Sequence, residues 1–181
     1  DMITSDEPVP PLGTEPPATD MDSERYGQYI SFVNYYIHQV NLMRHLLGEP
    51  YRVLYADPGG YLLAGSSAGG VACTIEMSPY RTTIDWQESA LVCFERGYLK
   101  LDLPAPLASN RPGRLEIMRD PGDGAEPQTL VPQLPWIHAM RQQAMNFVAA
   151  VRGEREPMTR AAEALEDLRV AREYIRLLTG E

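Results

Sequence analysis

Two histidines and two asparagines form a polar row in an otherwise apolar stretch of the sequence. Asn34, His38, Asn41 and His45 follow i, i+4, i+7, i+11 spacing, which places them on one narrow arc of an α-helix. An imidazole can transfer a proton near neutral pH, and a carboxamide can position a hydroxyl group. Polar groups on a buried helix need hydrogen-bond partners, a cleft or a ligand. The row therefore indicates either the wall of a substrate site or a polar seam packed against strand backbone or water.

The element that carries this row is a long helix that includes residues 29–47. Its other positions are almost all apolar or aromatic, so we expect it to be buried on most sides. Asp22 or Ser23 is predicted as the N-cap. Gly48 followed by Pro50 is typical of a helix end.

After residue 50 the hydrophobic pattern changes to the two-residue period of strands. Turn residues separate the alternating segments, which predict five or six strands at 51–57, 61–67, 71–77, 82–97, 98–104 and 114–120. A loop rich in proline and glycine at 120–135 precedes a helix at 136–151. A last helix, capped by Thr159, runs to residue 178, and its predicted inner face comprises Leu165, Leu168, Ala171, Ile175 and Leu178. This order predicts an α+β fold, with an open, mainly antiparallel or mixed β-sheet and helices packed on one face.

Composition bounds the domain organisation and the partners. Residues 1–20 are rich in proline and predict an extended lead-in to a single domain at 21–181. The net charge of −9 argues against nucleic acid or an anionic membrane surface as a partner. No apolar run is long enough for a membrane span and no signal-peptide pattern opens the chain, so we expect a cytoplasmic protein. For Cys73 and Cys93, buried thiols are favoured over a disulfide.

Three motif interpretations are weaker than their structural alternatives. The segment 65–69 matches G-x-S-x-G, but a strand pattern follows it where a nucleophile elbow requires a helix, so a hairpin turn is favoured. His38 and His45 are too far apart in sequence for a helical zinc pair, and we predict no metal site. No G-x-G-x-x-G or Walker loop is present, so no cofactor-binding residue is predicted in this chain.

The order of motifs resembles a known enzyme family. Residues 32–50 read F-V-N-Y-Y-I-H-Q-V-N-L-M-R-H-L-L-G-E-P. This block resembles the C-terminal-domain helix of the Gfo/Idh/MocA oxidoreductases, which reads roughly D-x-G-x-H-x-x-D-x-x-x-x-x-x-G-E. The ending at 145–178 is similar to the family's closing pattern, F-hydrophobic-x-A-I-x-G-x-x-P followed by A-x-x-x-L-x-V-x-x-A-I. The strands on either side of Gly97 are similar to its strand–glycine–strand hairpin, and the resemblance covers most of residues 23–179.

The resemblance implies a fold, a substrate site and a cofactor domain outside this chain. It implies an open sheet that supplies a substrate cleft and an oligomer interface, with the nicotinamide-binding Rossmann domain and its lysine lying upstream and absent from this chain. His38 falls on the family histidine that acts as acid and base toward the hydroxyl being oxidised. Asn34 and Asn41 replace the two family aspartates, and an amide cannot act as a carboxylate base. Tyr36 replaces the family glycine and is expected to crowd the space that glycine leaves.

The resemblance also implies a function. The chain is expected to be the C-terminal substrate-binding and oligomerisation domain of an NAD(P)-dependent oxidoreductase acting on a sugar, a polyol or a related hydroxy compound. His38 is the catalytic candidate, and Asn34, Tyr35 and Asn41 are the substrate-binding candidates. NAD or NADP is expected in the full-length parent, and this chain alone is expected to be inactive because hydride transfer needs the cofactor.

Two further expectations complete the interpretation. The alternative function is a non-catalytic dimerisation or ligand-binding module that keeps the fold without the chemistry. Both faces of segment 90–94 are apolar, which predicts that the chain forms a homodimer or tetramer through the sheet.

Overall fold

A computed structural model describes residues 20–77 and 86–180, together with Pro8 and Gly13. In chain order the elements are α1 (Ser23–Leu47), β1 (Tyr51–Ala56), β2 (Leu62–Ser67), β3 (Ala72–Glu76), β4 (Ser89–Phe94), β5 (Gly97–Asp102), β6 (Arg114–Arg119), β7 (Gln128–Leu130), α2 (Ala139–Val151) and α3 (Ala161–Leu178). The α+β class is confirmed. The beginning of the strand predicted at 82–97 lies outside the described residues.

The described strands form two open antiparallel sheets. One has the order β1-β2-β3 and the other the order β4-β5-β6-β7, and each neighbouring pair is antiparallel. Strand β7 lies in the segment predicted as a loop. It has only three residues, all exposed, so no alternation of side chains marks it, and backbone pairing with β6 defines it.

The ends of α1 follow the sequence signals, whereas its burial does not. The Asp22 side chain accepts a hydrogen bond from the backbone N–H of Arg25 at 2.9 Å, and Gly48 ends the helix at a φ of 70°. Only Phe32 and Val40 are buried on this helix, so the expectation of burial on most sides is wrong for the described residues. The described elements cover only the face of α1 that packs toward β1–β3 and α3.

The core lies between the two long helices and one face of β1–β3. Its buried side chains are Phe32, Val40, Tyr51, Val53, Ala56, Leu63, Cys73, Ile75, Met77, Val170, Ala171, Tyr174 and Ile175. The rings of Phe32 and Tyr174 stack with their centroids 4.6 Å apart, joining α1 to α3. A bulge in β1 after Val53 accompanies a hydrogen bond from the Val53 N–H to the Glu173 carboxylate at 3.1 Å, which ties the first strand to α3.

Helix α3 differs from its prediction at its start and in its rotation. The predicted N-cap is Thr159, but Arg160 takes that position and its N–H donates to the Glu163 carboxylate at 2.6 Å. Leu165 and Leu168, predicted on the inner face, are exposed. Ala171 and Ile175 are buried as predicted, and Asp167, Val170 and Tyr174 are buried with them, so the helix turns a charged residue inward and leaves two leucines outside.

The cysteines and the helix lengths can also be compared with their predictions. Both cysteines are free, but only Cys73 is buried, and Cys93 is exposed in β4. Within the residues that the structure describes, no helix is long and apolar enough to cross a membrane.

A buried ion pair joins α1 to α3. The guanidinium of Arg44 donates to both carboxylate oxygens of Asp167, at 2.8 Å and 3.1 Å. The two side chains are only 11% and 4% exposed, and the hydrogen bond to Asp167 raises the pKa of Arg44. The Asn41 amide donates to the same carboxylate at 2.7 Å, so three polar groups satisfy one another between the helices.

Removing the acidic partner of this pair should destabilise the protein strongly. We expect Asp167→Ala to lower the free energy of unfolding by about 3–5 kcal/mol, because it leaves the Arg44 charge buried without a counter-ion. Glu166→Ala is the matched control, since Glu166 forms a solvent-exposed pair with Arg169, and it should cost less than about 1 kcal/mol. Urea denaturation measures both, and equal losses in the two variants would contradict the buried-pair argument.

Candidate functional site

The predicted histidine site lies on the outward face of α1. Asn34, Tyr35, His38 and His45 are exposed, and Tyr35 is 73% accessible. Asn34 and His38 are one turn apart and make no side-chain hydrogen bond within the described ranges, so both are available to a ligand. The structure therefore places Asn34, Tyr35 and His38 on one open helical surface and supplies no opposing wall from the residues that it describes.

Asn41 is held differently from its predicted neighbours. Its Nδ2 donates to Asp167 at 2.7 Å and to the Thr159 hydroxyl at 3.4 Å. Both bonds tie α1 to the start of α3, so this residue has a structural task that the row's spacing does not reveal. Only its Oδ1 is left to accept a hydrogen bond from a substrate hydroxyl.

Tyr36 does not crowd the surface around His38. It is half-buried and packs against the core, with its ring centroid 5.7 Å from that of Phe32. The tyrosine in place of the family glycine therefore fills space on the inner side of α1. It leaves the outward face, where His38 lies, unobstructed.

The segment that matches G-x-S-x-G is part of a hairpin. Ser66 lies in β2, and the buried Ser67 accepts a hydrogen bond on its Oγ from the Val71 N–H at 3.0 Å. The next element is the strand β3, so the strand-to-helix turn of a nucleophile elbow is absent here. The Ser67 side chain and the Gly69 N–H form hydrogen bonds with the Glu49 carboxylate and lower its pKa. These bonds connect the turn to the end of α1.

Two contacts near the site were not predictable from spacing. Gln39 donates to the Glu88 carboxylate at 2.6 Å and so connects the middle of α1 to the segment before β4. Asp167 was missed because a lone acidic residue in an amphipathic helix is normally solvated. Arg44 in the last turn of α1 was the only available signal, since an arginine in an apolar helix needs a partner.

The described residues form neither a cluster of metal-ligating side chains nor a parallel β-α-β unit. Within the described ranges, no three side chains of His, Cys, Asp or Glu come together as a metal cluster. The strand pairs that the structure describes are all antiparallel, so they do not provide the parallel β-α-β unit that binds a dinucleotide.

These observations define an α+β domain whose first helix exposes a histidine on its outer face. Solved oxidoreductases share this fold. A protein assigned as an NADPH-dependent oxidoreductase from Desulfitobacterium hafniense aligns with a TM-score of 0.62 and 14% identity, over 82% of this chain and 46% of that chain. UDP-N-acetylglucosamine 3-dehydrogenase from Acidithiobacillus ferrooxidans aligns with a TM-score of 0.53 and 15% identity, over 78% of this chain and 46% of its own.

A third structure extends the same similarity. Aldose-aldose oxidoreductase from Caulobacter crescentus aligns with a TM-score of 0.52 and 19% identity, over 79% of this chain and 43% of its own. These proteins are Gfo/Idh/MocA-type oxidoreductases, so the resemblance seen in the sequence is confirmed at the level of the fold. The chain spans less than half the length of each. No protein-family model and no curated protein matches this sequence.

The two asparagines of the row should respond differently to the family's aspartate. We expect Asn41→Asp to lower the free energy of unfolding by about 1–3 kcal/mol near neutral pH, because it replaces a donor with a second carboxylate beside Asp167. The loss should shrink as the pH falls and one carboxylate becomes protonated. Asn34→Asp, on the exposed face, should change stability by less than about 0.5 kcal/mol. Urea denaturation at two pH values measures both, and equal effects would show that the Asn41–Asp167 contact is unimportant.

Proposed function

We propose that residues 21–181 are the C-terminal substrate-binding and oligomerisation domain of an NAD(P)-dependent oxidoreductase acting on a sugar, a polyol or a related hydroxy compound. The observation that carries the proposal is the position of His38, exposed in the middle of α1, in a fold shared with sugar oxidoreductases. NAD or NADP would be held by the rest of the full-length parent, which would also close the site over the outward face of α1.

In this proposal the chain contributes binding and proton transfer. His38 accepts the proton of the substrate hydroxyl during oxidation and returns it during reduction, a role for which a neutral imidazole is suited. Asn34, one helical turn earlier, binds a neighbouring hydroxyl through its amide, and the Tyr35 hydroxyl contacts the substrate at the rim. Asn41 accepts a hydrogen bond on Oδ1 while its Nδ2 stays with Asp167.

Replacing His38 in the full-length parent tests the catalytic role. We expect His38→Ala to lower kcat for oxidation of the preferred sugar or polyol by about 10²–10⁴-fold, because a positioned acid–base group is lost. His45→Ala is the matched control: this histidine lies on the same helix and is also exposed, and its loss should leave kcat within about twofold. Nicotinamide reduction, followed by absorbance across a panel of sugars and polyols, measures the rates.

The outcome also separates catalysis from substrate positioning. Asn34→Ala should raise KM with a smaller effect on kcat, since it removes binding and leaves the proton acceptor in place. Unchanged turnover in His38→Ala would remove that residue from the mechanism.

A second candidate function is a non-catalytic dimerisation or ligand-binding module. The specific observation in its favour is that Asn41, which replaces a family aspartate, is engaged with Asp167 and Thr159. An intact parent that binds NAD or NADP but turns over no member of the panel would favour this module over the enzyme.

The oligomerisation part of the proposal rests on the sheet β4–β7. Its strands bring Val92, Leu99, Ile117 and Leu130 into one row across the sheet. No residue of these strands is fully buried, and Leu130 is 59% exposed. An apolar face of this kind supports association with a second copy in a symmetric interface.

Charging one face of this sheet tests the interface. We expect this chain to be dimeric or tetrameric at micromolar concentration and Ile117→Asp to shift it to monomer, because a carboxylate would be buried at the contact. Thr129→Asp is the control, since Thr129 pairs with Met118 on the opposite face. Light scattering measures the mass. A monomeric wild type, or equal dissociation of the two variants, would count against the interface.

A further inference from the structure

A cleft away from His38 lies between the first half of α1, the end of α3 and the turn after β1. Its volume is about 460 Å³, and it is largely open to solvent. Half of its lining is aromatic or aliphatic, and the rest is polar or glycine: Glu24, Gly27, Gln28, Ser31, Phe32, Tyr36, Gly60, Tyr174, Ile175 and Leu178. His38, Asn34 and Tyr35 do not line it, so it is separate from the proposed substrate surface.

Two buried polar atoms in this cleft have no hydrogen-bond partner among the described residues. They are the hydroxyl of Tyr174 and the side-chain carbonyl oxygen of Gln28. Tyr174 is only 2% exposed, and a buried hydroxyl without a partner costs stability that a phenylalanine would not. The hydroxyl lies close to Gly60, where an added Cβ would stand 3.9 Å from it. The two residues that carry this unmet donor and this unmet acceptor both line the cleft.

The charge around the cleft selects the kind of ligand. Burial raises the pKa of Tyr174 to about 12, with the Asp57 carboxylate and Tyr36 adding to the effect, so the phenol stays neutral and donates. Glu24 also lines the cleft, and the chain carries a net charge of −9. An anion is therefore disfavoured here. The apolar side chains of Phe32, Ile175 and Leu178 favour a ligand with an apolar body.

We propose that this cleft binds a small uncharged alcohol with an apolar body. Its hydroxyl oxygen accepts a hydrogen bond from the Tyr174 hydroxyl and its proton is donated to the Gln28 carbonyl, so one group satisfies both buried atoms. Its apolar body lies against Phe32, Ile175 and Leu178. The site does not depend on His38 or on a nicotinamide cofactor, so it stands or falls separately from the proposed oxidoreductase function.

Cyclohexanol is a suitable probe, with cyclohexanecarboxylate as its charged counterpart. Titration of this chain, followed by two-dimensional amide NMR, should shift the Gln28 side-chain signals and the backbone signals of residues 58–60 with millimolar affinity. Cyclohexanecarboxylate should bind at least tenfold more weakly. Absence of binding by cyclohexanol, or shifts confined to other parts of the chain, would overturn the proposal and leave the two atoms to ordered water.

Paired tyrosine variants separate a binding role from a structural one. Tyr174→Phe should leave the urea midpoint unchanged or higher, because the unmet hydroxyl is removed, yet weaken cyclohexanol by about fivefold to tenfold. Tyr51→Phe is the matched control: its buried hydroxyl donates to the Val40 carbonyl at 3.2 Å, so its loss should lower the midpoint and leave cyclohexanol binding unchanged. Gln28→Leu should weaken cyclohexanol to a similar extent. Equal cyclohexanol affinity in the wild type and Tyr174→Phe would overturn the assignment.

Discussion

The buried contact between Arg44 and Asp167 is the constraint on which the arrangement of the helices depends. A bidentate pair with donor–acceptor distances of 2.8 Å and 3.1 Å allows little rotation of either helix. Because the carboxylate is almost fully buried, any rotation of α3 that exposed it would leave Arg44 without a partner. The pair therefore specifies which side of α3 faces inward, even though two leucines remain exposed as a result.

The same constraint decides which residues of α1 can meet a ligand. Arg44 and Asn41 are turned toward α3 by Asp167, while Phe32 and Val40 are buried in the core. The remaining arc of the helix carries Asn34 and His38 on its exposed side. The polar row of the sequence is thus divided: Asn41 holds the helices together, and the other members lie on the exposed surface of α1.

Much of the fold was predictable, because it depends on local signals. Proline and glycine separate the strands, Asp22 caps α1 and Gly48 ends it. The errors arose where a non-local partner decides the outcome. The rotation of α3 depends on the charge of Arg44. Strand β7 depends on pairing with β6, and three residues are too few to show the alternating pattern of a strand. The spacing of Asn34, His38 and Asn41 on one arc of a helix was predictable. The solvent exposure of that arc and the hydrogen bond between Asn41 and Asp167 were not.

The departures from the family's helix therefore have different physical meanings. At position 41 an aspartate would face the carboxylate of Asp167, so asparagine is the residue that suits the contact between the helices. Tyr36 is explained by its packing on Phe32. Position 34 is exposed, and no contact within the described residues explains its asparagine. An aspartate at position 34 would add a carboxylate one helical turn from His38, whereas the asparagine places a neutral amide there.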